Sequence, residues 1–149
     1  MSGAAGAFEF DAANEVHART LARLESEQVA WFGTIGRDGF PHAVPIWFLW
    51  HDGRALIMSE PATAKVRNVR ANDRVLLHLE AGHDGEQLSV LRGTAEISPE
   101  PSSAWVERIG DAYTAKYDAW LQRLNLTTET MAERYSALIV VTPHKLIAW

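Results

Sequence analysis

The spacing of apolar positions divides the chain into helical and extended segments. Residues 14–28 place apolar side chains at helical intervals with charged side chains between them, which predicts an amphipathic helix capped by Asp11 or Asn14. Residues 29–35 then form a mostly apolar, β-rich run. The Gly-Arg-Asp-Gly sequence at 36–39 ends this run and is typical of a hairpin turn.

The extended pattern recurs along most of the remaining chain. Predicted strands cover residues 41–50, 54–59, 74–80, 87–97, 136–142 and 145–149, with a turn at Pro143. The strands at 29–35, 41–50 and 54–59 are expected to form a meander. Helical patterns occupy 64–71 and 102–134, the second with a new cap near Thr127. Because nearly all strand connections are short, we predict a mainly β fold with helical additions, an antiparallel barrel of six or seven strands.

The length of 149 residues fits a single domain. Within it, the Gly- and Ala-rich residues 1–12 are expected to form a flexible arm, and residues 99–135 a helical insertion. Pro45 lies inside the second predicted strand, where it cannot donate a ladder hydrogen bond. We therefore expect an edge, a bulge or a cleft on one side of that strand, against which a ligand could lie.

Composition removes several classes of function. The chain has 14 basic and 19 acidic side chains, a formal charge of −5 and no cysteine, which argues against nucleic-acid binding and excludes thiolate metal sites. The six histidines do not occur at metal-binding helical spacing, so no metal site is predicted. Phosphate-loop, dinucleotide-binding and nucleophile-elbow motifs are missing, whereas a Ser-His-acid relay stays open because it assembles from distant positions. With no membrane-span or signal pattern, we expect a cytoplasmic protein.

Residues 59–70 carry the strongest chemical signal. Thr63 is placed to cap a short helix, and Lys65 lies in its first turn, where the helix dipole disfavours a cation. A bound phosphate or carboxylate would favour this arrangement, since the first-turn N–H groups and the hydroxyls of Ser59 and Thr63 lie nearby. The alternative is a solvated helix end with an ordinary surface lysine. Arg70 is assigned to the surface.

The order of these residues resembles a known cofactor site. A strand ending in Ser59, a short loop, Thr63-Ala64-Lys65 opening a helix, and a strand after Asn72-Asp73 resemble the pyridoxamine 5′-phosphate oxidase-like split-barrel family. The resemblance includes residues 34–48. The combination of Pro45-Ile46-Trp47-Phe48, Lys65-Val66-Arg67-Asn68 and a final Trp149 is most similar to the branch that uses the deazaflavin coenzyme F420.

The resemblance implies a split β-barrel and a set of cofactor-binding residues. Thr63, Ala64 and Lys65 would hold the cofactor phosphate, with Met58 and Ser59 beside it. The residues that would line the flat ring are Val44, Pro45, Ile46 and Trp47. Arg67 and Asn68 would reach the phosphate or the oligoglutamate tail, while His78, Gln87 and Trp149 are further candidates, from the same or a partner subunit. The family also implies a homodimer with the site at its interface.

The leading functional hypothesis is a reductase that uses reduced F420 to transfer a hydride to an electron-poor double bond of a planar organic substrate. An FMN-dependent oxidoreductase on the same barrel and a non-catalytic F420- or FMN-binding protein are the alternatives. The oxidase proper has a basic residue on the second strand, whereas residues 44–48 are uncharged here, which disfavours FMN. No catalytic side chain is assigned. The aromatic residues of 102–134 are predicted as core, with a substrate wall as the minority interpretation.

Overall fold

The structure is a computed structural model that describes residues 6–149. Its elements, in chain order, are α1 (Glu15–Ser26), β1 (Ala30–Ile35), β2 (Pro41–Ile46), β3 (Leu49–His51), β4 (Arg54–Ser59), α2 (Ala64–Ala71), β5 (Arg74–His78), β6 (Ser89–Ile97), α3 (Ser102–Arg123), α4 (Thr128–Arg134) and β7 (Ala137–Ala148). The predicted helix at 64–71 is confirmed, as is a helix within 14–28, where Asn14 is the cap that accepts from Val16 and His17.

The seven strands of the described chain form one antiparallel sheet in the order β2-β1-β5-β6-β7-β4-β3. The two edge strands, β2 and β3, are separated in sequence by Trp47 and Phe48 alone. Two residues span at most about 10 Å, so the sheet must curl until its edges lie close together. The prediction of a mainly β fold with helical additions, an antiparallel split barrel of six or seven strands, is confirmed. The seven strands form a curled half-barrel sheet.

The predicted continuous strand at 41–50, and with it the three-strand meander, is wrong. The chain leaves β2 after Ile46 and enters β3 at Leu49, on the opposite edge of the sheet. Pro45 pairs with Trp31 on one side and is exposed on the other, which agrees with the expected edge position.

The predicted turn at Pro143 is also wrong, because β7 runs unbroken from Ala137 to Ala148. The register shifts between Arg92 and Gly93 on β6, opposite Pro143, and this irregularity accommodates a residue without an N–H group. Gly93 is required there, since a side chain would collide with the carbonyl of Thr142.

Two apolar cores lie on opposite faces of the sheet. Phe32, Ile57 and Ile139 belong to the core inside the barrel, which α2 and α1 help to close. The second core lies between the outer face of β4 and β7 and the helical insertion, with Tyr113 and Tyr117 fully buried in it. This packing agrees with the prediction that the aromatic residues of α3 are core.

The predicted arm can be described only in part. Residues 1–5 lie outside the described residues. Farther along, the Phe8 N–H donates to the Pro143 carbonyl at 2.7 Å, and the Phe10 ring packs edge-on against Trp50 with centroids 5.9 Å apart. No helix within residues 6–149 is long and apolar enough to cross a membrane.

Trp47 and Phe48 join the two edge strands, and we call this connection the seam. Side chains of α3 hold it in place. The Phe48 N–H donates to the Tyr117 hydroxyl at 2.9 Å, and this hydroxyl donates to the Gln28 carbonyl at 2.6 Å. The Lys116 ammonium donates to the Phe48 carbonyl at 2.8 Å. The Trp47 ring stacks on Tyr117 with centroids 4.6 Å apart and planes 5° apart. Side chains of α3 thus replace the ladder partners that the seam lacks.

Removing the Tyr117 hydroxyl is expected to destabilise the fold. Tyr117→Phe keeps the stacked ring but leaves the buried Phe48 N–H and the Gln28 carbonyl without this partner, which should cost about 2 kcal/mol of unfolding free energy. Urea denaturation measures the difference. The matched control is Tyr113→Phe, which removes a hydroxyl from the adjacent buried ring, 5.0 Å away, that does not bond the seam. Equal stabilities of the two variants would contradict the role of the seam contact.

Candidate functional site

A cleft of about 260 Å³ opens where the seam, the end of β4 and the start of α2 meet the helical insertion. We call the part of the cleft formed by Ser59, Glu60, Thr63 and Lys65 its polar end, and the part formed by the apolar side chains its apolar end. Its lining residues are Ile46, Trp47, Met58, Ser59, Glu60, Thr63, Lys65, Leu124, Leu126, Met131 and Tyr135.

The polar end contains the N-terminus of α2. Thr63 occupies the N-cap position, as predicted, but its hydroxyl does not accept from the helix. It instead lies 3.0 Å from the Ser59 hydroxyl and donates to the Glu60 carbonyl at 3.2 Å. The first-turn N–H groups of α2 therefore receive no acceptor from their own cap, which leaves them available to an anion.

Lys65 adds a positive charge at this end. Burial lowers the pKa of its ammonium group from the ordinary value, and the Glu60 carboxylate opposes this effect. Among residues 6–149, Lys65 forms no ion pair, whereas Glu60 pairs with Arg134 at 3.3 Å. A half-buried, unpaired cation beside uncapped N–H groups is suited to bind a phosphate or carboxylate.

The apolar end is formed from both sides of the seam. Ile46 and Trp47 come from the end of β2, and Met58 from β4. The facing side is supplied by the helical insertion, with Leu124 and Leu126 between α3 and α4. A ligand in this cleft therefore meets a cation at one end and hydrocarbon side chains at the other.

The structure brings together six of the predicted cofactor-binding residues. Those that line the cleft are Ile46, Trp47, Met58, Ser59, Thr63 and Lys65. Ala64 lies between Thr63 and Lys65 in the first turn of α2. Val44 is half-buried against the barrel core, and Pro45 points away from it.

Arg67 and Asn68 lie outside this cleft. They line a separate surface hollow with Arg37 and Asn72, next to the β1–β2 turn. The Asn68 amide donates to the Thr34 hydroxyl at 3.0 Å, and the Arg67 guanidinium donates to the Ala62 carbonyl at 3.2 Å. Both side chains therefore have partners within the fold, on a different side of α2 from Lys65.

His78 and Trp149 lie on the outer surface of the sheet. His78 stacks on Trp31, with ring centroids 6.4 Å apart. Trp149 is 60% exposed, and its backbone N–H donates to the Leu88 carbonyl at 3.2 Å. Gln87, in the β5–β6 loop, is exposed and donates its N–H to Ala81. None of these three lines the cleft within the described part of the chain.

Sequence reasoning missed the part of the cleft formed by the helical insertion. The residues concerned are Leu124, Leu126, Met131 and Tyr135, together with Glu60. A leucine at the end of a helical pattern is the one local signal, and it does not indicate that the residue lines the same cleft as Lys65. Within residues 6–149, no group of three or more His, Asp or Glu side chains is arranged to hold a metal ion.

The chain is similar in sequence and in structure to known proteins. Residues 16–149 match the family described as pyridoxamine 5′-phosphate oxidase. The chain is similar to the conserved hypothetical protein Rv2991 from Mycobacterium tuberculosis, with 22% identity, a TM-score of 0.74, and coverage of 100% of this chain and 89% of that one. No curated protein matches the chain in sequence.

Two further solved structures share the fold. One is described as an F420 reductase, with 24% identity, a TM-score of 0.64, and coverage of 85% of this chain and 94% of that one. The other is a putative pyridoxamine 5′-phosphate oxidase from Listeria innocua, with 24% identity, a TM-score of 0.65, and coverage of 90% and 98%.

Lys65→Ala is expected to weaken the binding of phosphate-bearing molecules, tested with F420 and with FMN. The loss should be about 1.5 to 3 kcal/mol if the ammonium group meets the phosphate in a partly dry site. Arg70→Ala, on the exposed side of the same helix, is the control and should bind as the wild type does. An unchanged dissociation constant in Lys65→Ala would refute this placement of the anion.

The same interaction predicts a pH dependence. Burial lowers the pKa of Lys65, so without a bound anion the ammonium group loses its proton at a lower pH than an ordinary lysine does. The affinity for an anion should therefore fall as the pH rises through that lowered pKa. Lys65→Arg should keep its affinity across the same interval, since a guanidinium stays charged.

Proposed function

This chain belongs to the pyridoxamine 5′-phosphate oxidase family, and we propose that it is an oxidoreductase that uses coenzyme F420 to reduce a planar organic substrate. The observation that carries the proposal is the two-ended cleft, with Lys65 and the uncapped start of α2 at one end and apolar side chains at the other. A cofactor that joins an anionic phosphate to a flat ring requires such a pair of environments.

The charge of the polar end favours F420 over FMN. Of the described residues lining the cleft, Lys65 is the one cation, and residues 44–48 of β2 carry no charge. A phosphodiester such as that of F420 carries one negative charge, whereas a terminal phosphate such as that of FMN carries about 1.5 to 2 near neutral pH. One lysine and one helix terminus suit the smaller charge.

The residues have distinct roles in this proposal. When bound, the reduced deazaflavin supplies a hydride, which adds two electrons to the substrate double bond. Lys65 and the first turn of α2 anchor the phosphate, while Ile46 and Trp47 support the ring and exclude water from it. We assign the proton that completes the reduction to solvent. No side chain of the cleft is assigned as the proton donor.

The cofactor preference can be measured by titrating the protein with F420 and FMN while following tryptophan fluorescence. F420 should bind more tightly and quench Trp47, which lines the cleft; Trp47→Phe should remove much of that signal. The mass of any cofactor that copurifies from a host making both compounds gives a second readout. Tight FMN binding without F420 binding would favour the FMN-dependent alternative.

Turnover separates an enzyme from a non-catalytic binding protein. A protein that binds F420 but does not oxidise its reduced form in the presence of quinones, enones and related acceptors would match the binding alternative. The predicted cytoplasmic location and small-molecule substrate remain part of the proposal.

A homodimer is proposed from the outer surface of the sheet. Pro45, Trp31, His78, Val90 and Ile147 are register partners on successive strands, so their side chains share one face. The neighbouring row, which includes Phe32, Leu77 and Leu91, points into the barrel core. This outward row, mostly apolar and half-buried or exposed, is suited to contact a second copy. It also contains two of the predicted cofactor-binding residues, Pro45 and His78.

Val90→Arg is expected to convert the dimer to a monomer, because it introduces a charge into this mostly apolar row. Light scattering coupled to gel filtration measures the mass. Ala119→Arg, on the exposed side of α3, is the control and should leave the mass unchanged. A wild-type protein that is monomeric at micromolar concentration would contradict the proposed dimer.

A further inference from the structure

The corner between α3 and α4 is a shaped part of the cleft. Asn125 adopts the left-handed conformation at φ 57°, immediately after the end of α3. The Leu126 N–H donates to the Leu121 carbonyl at 2.8 Å, and the Asn125 N–H to the Gln122 carbonyl at 3.0 Å. This pair of bonds is the Schellman motif, which commonly brings apolar contact between the residues at the positions of Leu126 and Leu121.

The other side of the corner is fixed as well. Thr127 caps α4 by accepting from the Thr130 N–H at 3.1 Å, while the Thr130 hydroxyl accepts from the Thr127 N–H at 2.9 Å. Reciprocal capping satisfies two N–H groups that otherwise lack partners. The five residues 123–127 are therefore held at both ends, which makes the corner a rigid wall.

This rigid corner presents an apolar side chain to the cleft. Leu124 is 56% exposed, although its neighbours Leu121 and Leu126 are buried or half-buried in the second core. It lines the cleft with Leu126 and Met131, opposite the residues from β2 and β4. A large apolar side chain that the fold leaves exposed inside a cleft is available to bind an apolar ligand.

The carboxylate and the guanidinium group near this wall, those of Glu60 and Arg134, form an ion pair. Glu60, on the cleft, pairs with Arg134 of α4, whose guanidinium also lies 5.3 Å from the centre of the Tyr135 ring. Among the described lining residues, the one cation is Lys65, which belongs to α2 and not to the corner. An uncharged ligand therefore meets less desolvation cost at the corner than an ionic one.

We propose that the α3–α4 corner is the substrate-recognition wall of the cleft, with Leu124 as its specificity-determining residue for uncharged, planar, apolar acceptors. This inference rests on the proposed function for the identity of the reaction. It assigns the helical insertion a role in selecting the substrate, while Lys65 and α2 hold the cofactor.

The test measures binding rather than turnover. Protein saturated with oxidised F420 is titrated by calorimetry at neutral pH with menadione, an uncharged naphthoquinone, and with 2-hydroxy-1,4-naphthoquinone, a relative of similar size that is an anion at that pH. The dissociation constant of F420 itself is measured in parallel for each variant. Leu124→Ala shortens the exposed side chain, and Phe40→Ala is the matched control, since Phe40 is 72% exposed and lies outside the cleft.

The expected result is a selective loss. Wild-type protein should bind menadione more tightly than the hydroxynaphthoquinone anion. Leu124→Ala should weaken menadione binding about tenfold, while its F420 binding and both affinities of Phe40→Ala stay at wild-type values. Leu124→Asp, which adds a charge to the wall, should weaken menadione binding further.

Three outcomes would overturn the inference. These are no menadione binding by the wild type, equal menadione affinity in wild type and Leu124→Ala, or a Leu124→Ala variant that loses F420 affinity instead. If the protein fails to bind F420, the proposed cofactor is contradicted. Menadione binding is then measured with the protein alone, without cofactor. The two failures are therefore distinguishable.

Discussion

The two-residue step from β2 to β3 is the constraint on which this structure depends. Because Trp47 and Phe48 join opposite edges of a seven-stranded sheet, the sheet must curl, yet its edges do not pair with each other. Backbone groups at such a break need partners from elsewhere. Tyr117 and Lys116 provide them, so the helical insertion completes the barrel.

The same step creates the cleft. β2 ends at Ile46, and Trp47 turns towards α3, where it stacks on Tyr117. The chain then returns through β4 to Ser59 and the beginning of α2, which brings hydroxyl and ammonium groups next to the open side of the seam. The proposed binding site therefore lies where the sheet does not close, and the residues that hold the seam also position one wall of the cleft.

Electrostatics in this protein is local. A formal charge of −5 opposes the binding of extended polyanions, but Lys65 lies in a partly dry environment beside helix N–H groups. An ammonium group desolvated in this way gains more from a bound anion than it would in water. The pairing of Glu60 with Arg134 limits the competing negative charge. A small monoanionic group can consequently be held by an acidic protein.

The sequence by itself determined the local elements and the grouping of residues at the polar end of the cleft. The helix at 64–71, the edge position of Pro45 and the grouping of Ser59, Thr63 and Lys65 follow from short-range patterns, because capping, helix dipoles and missing N–H groups act within a few residues. Tertiary structure decided the rest. The break after Ile46 depends on Tyr117, about 70 positions away. Pro143 continues a strand because the register between β6 and β7 shifts at this point. Leu124 meets the cleft only through the packing of α3 and α4 on the sheet. Periodicity reports which face of an element is buried, but not which distant element covers it, and that pairing forms the apolar wall of the site.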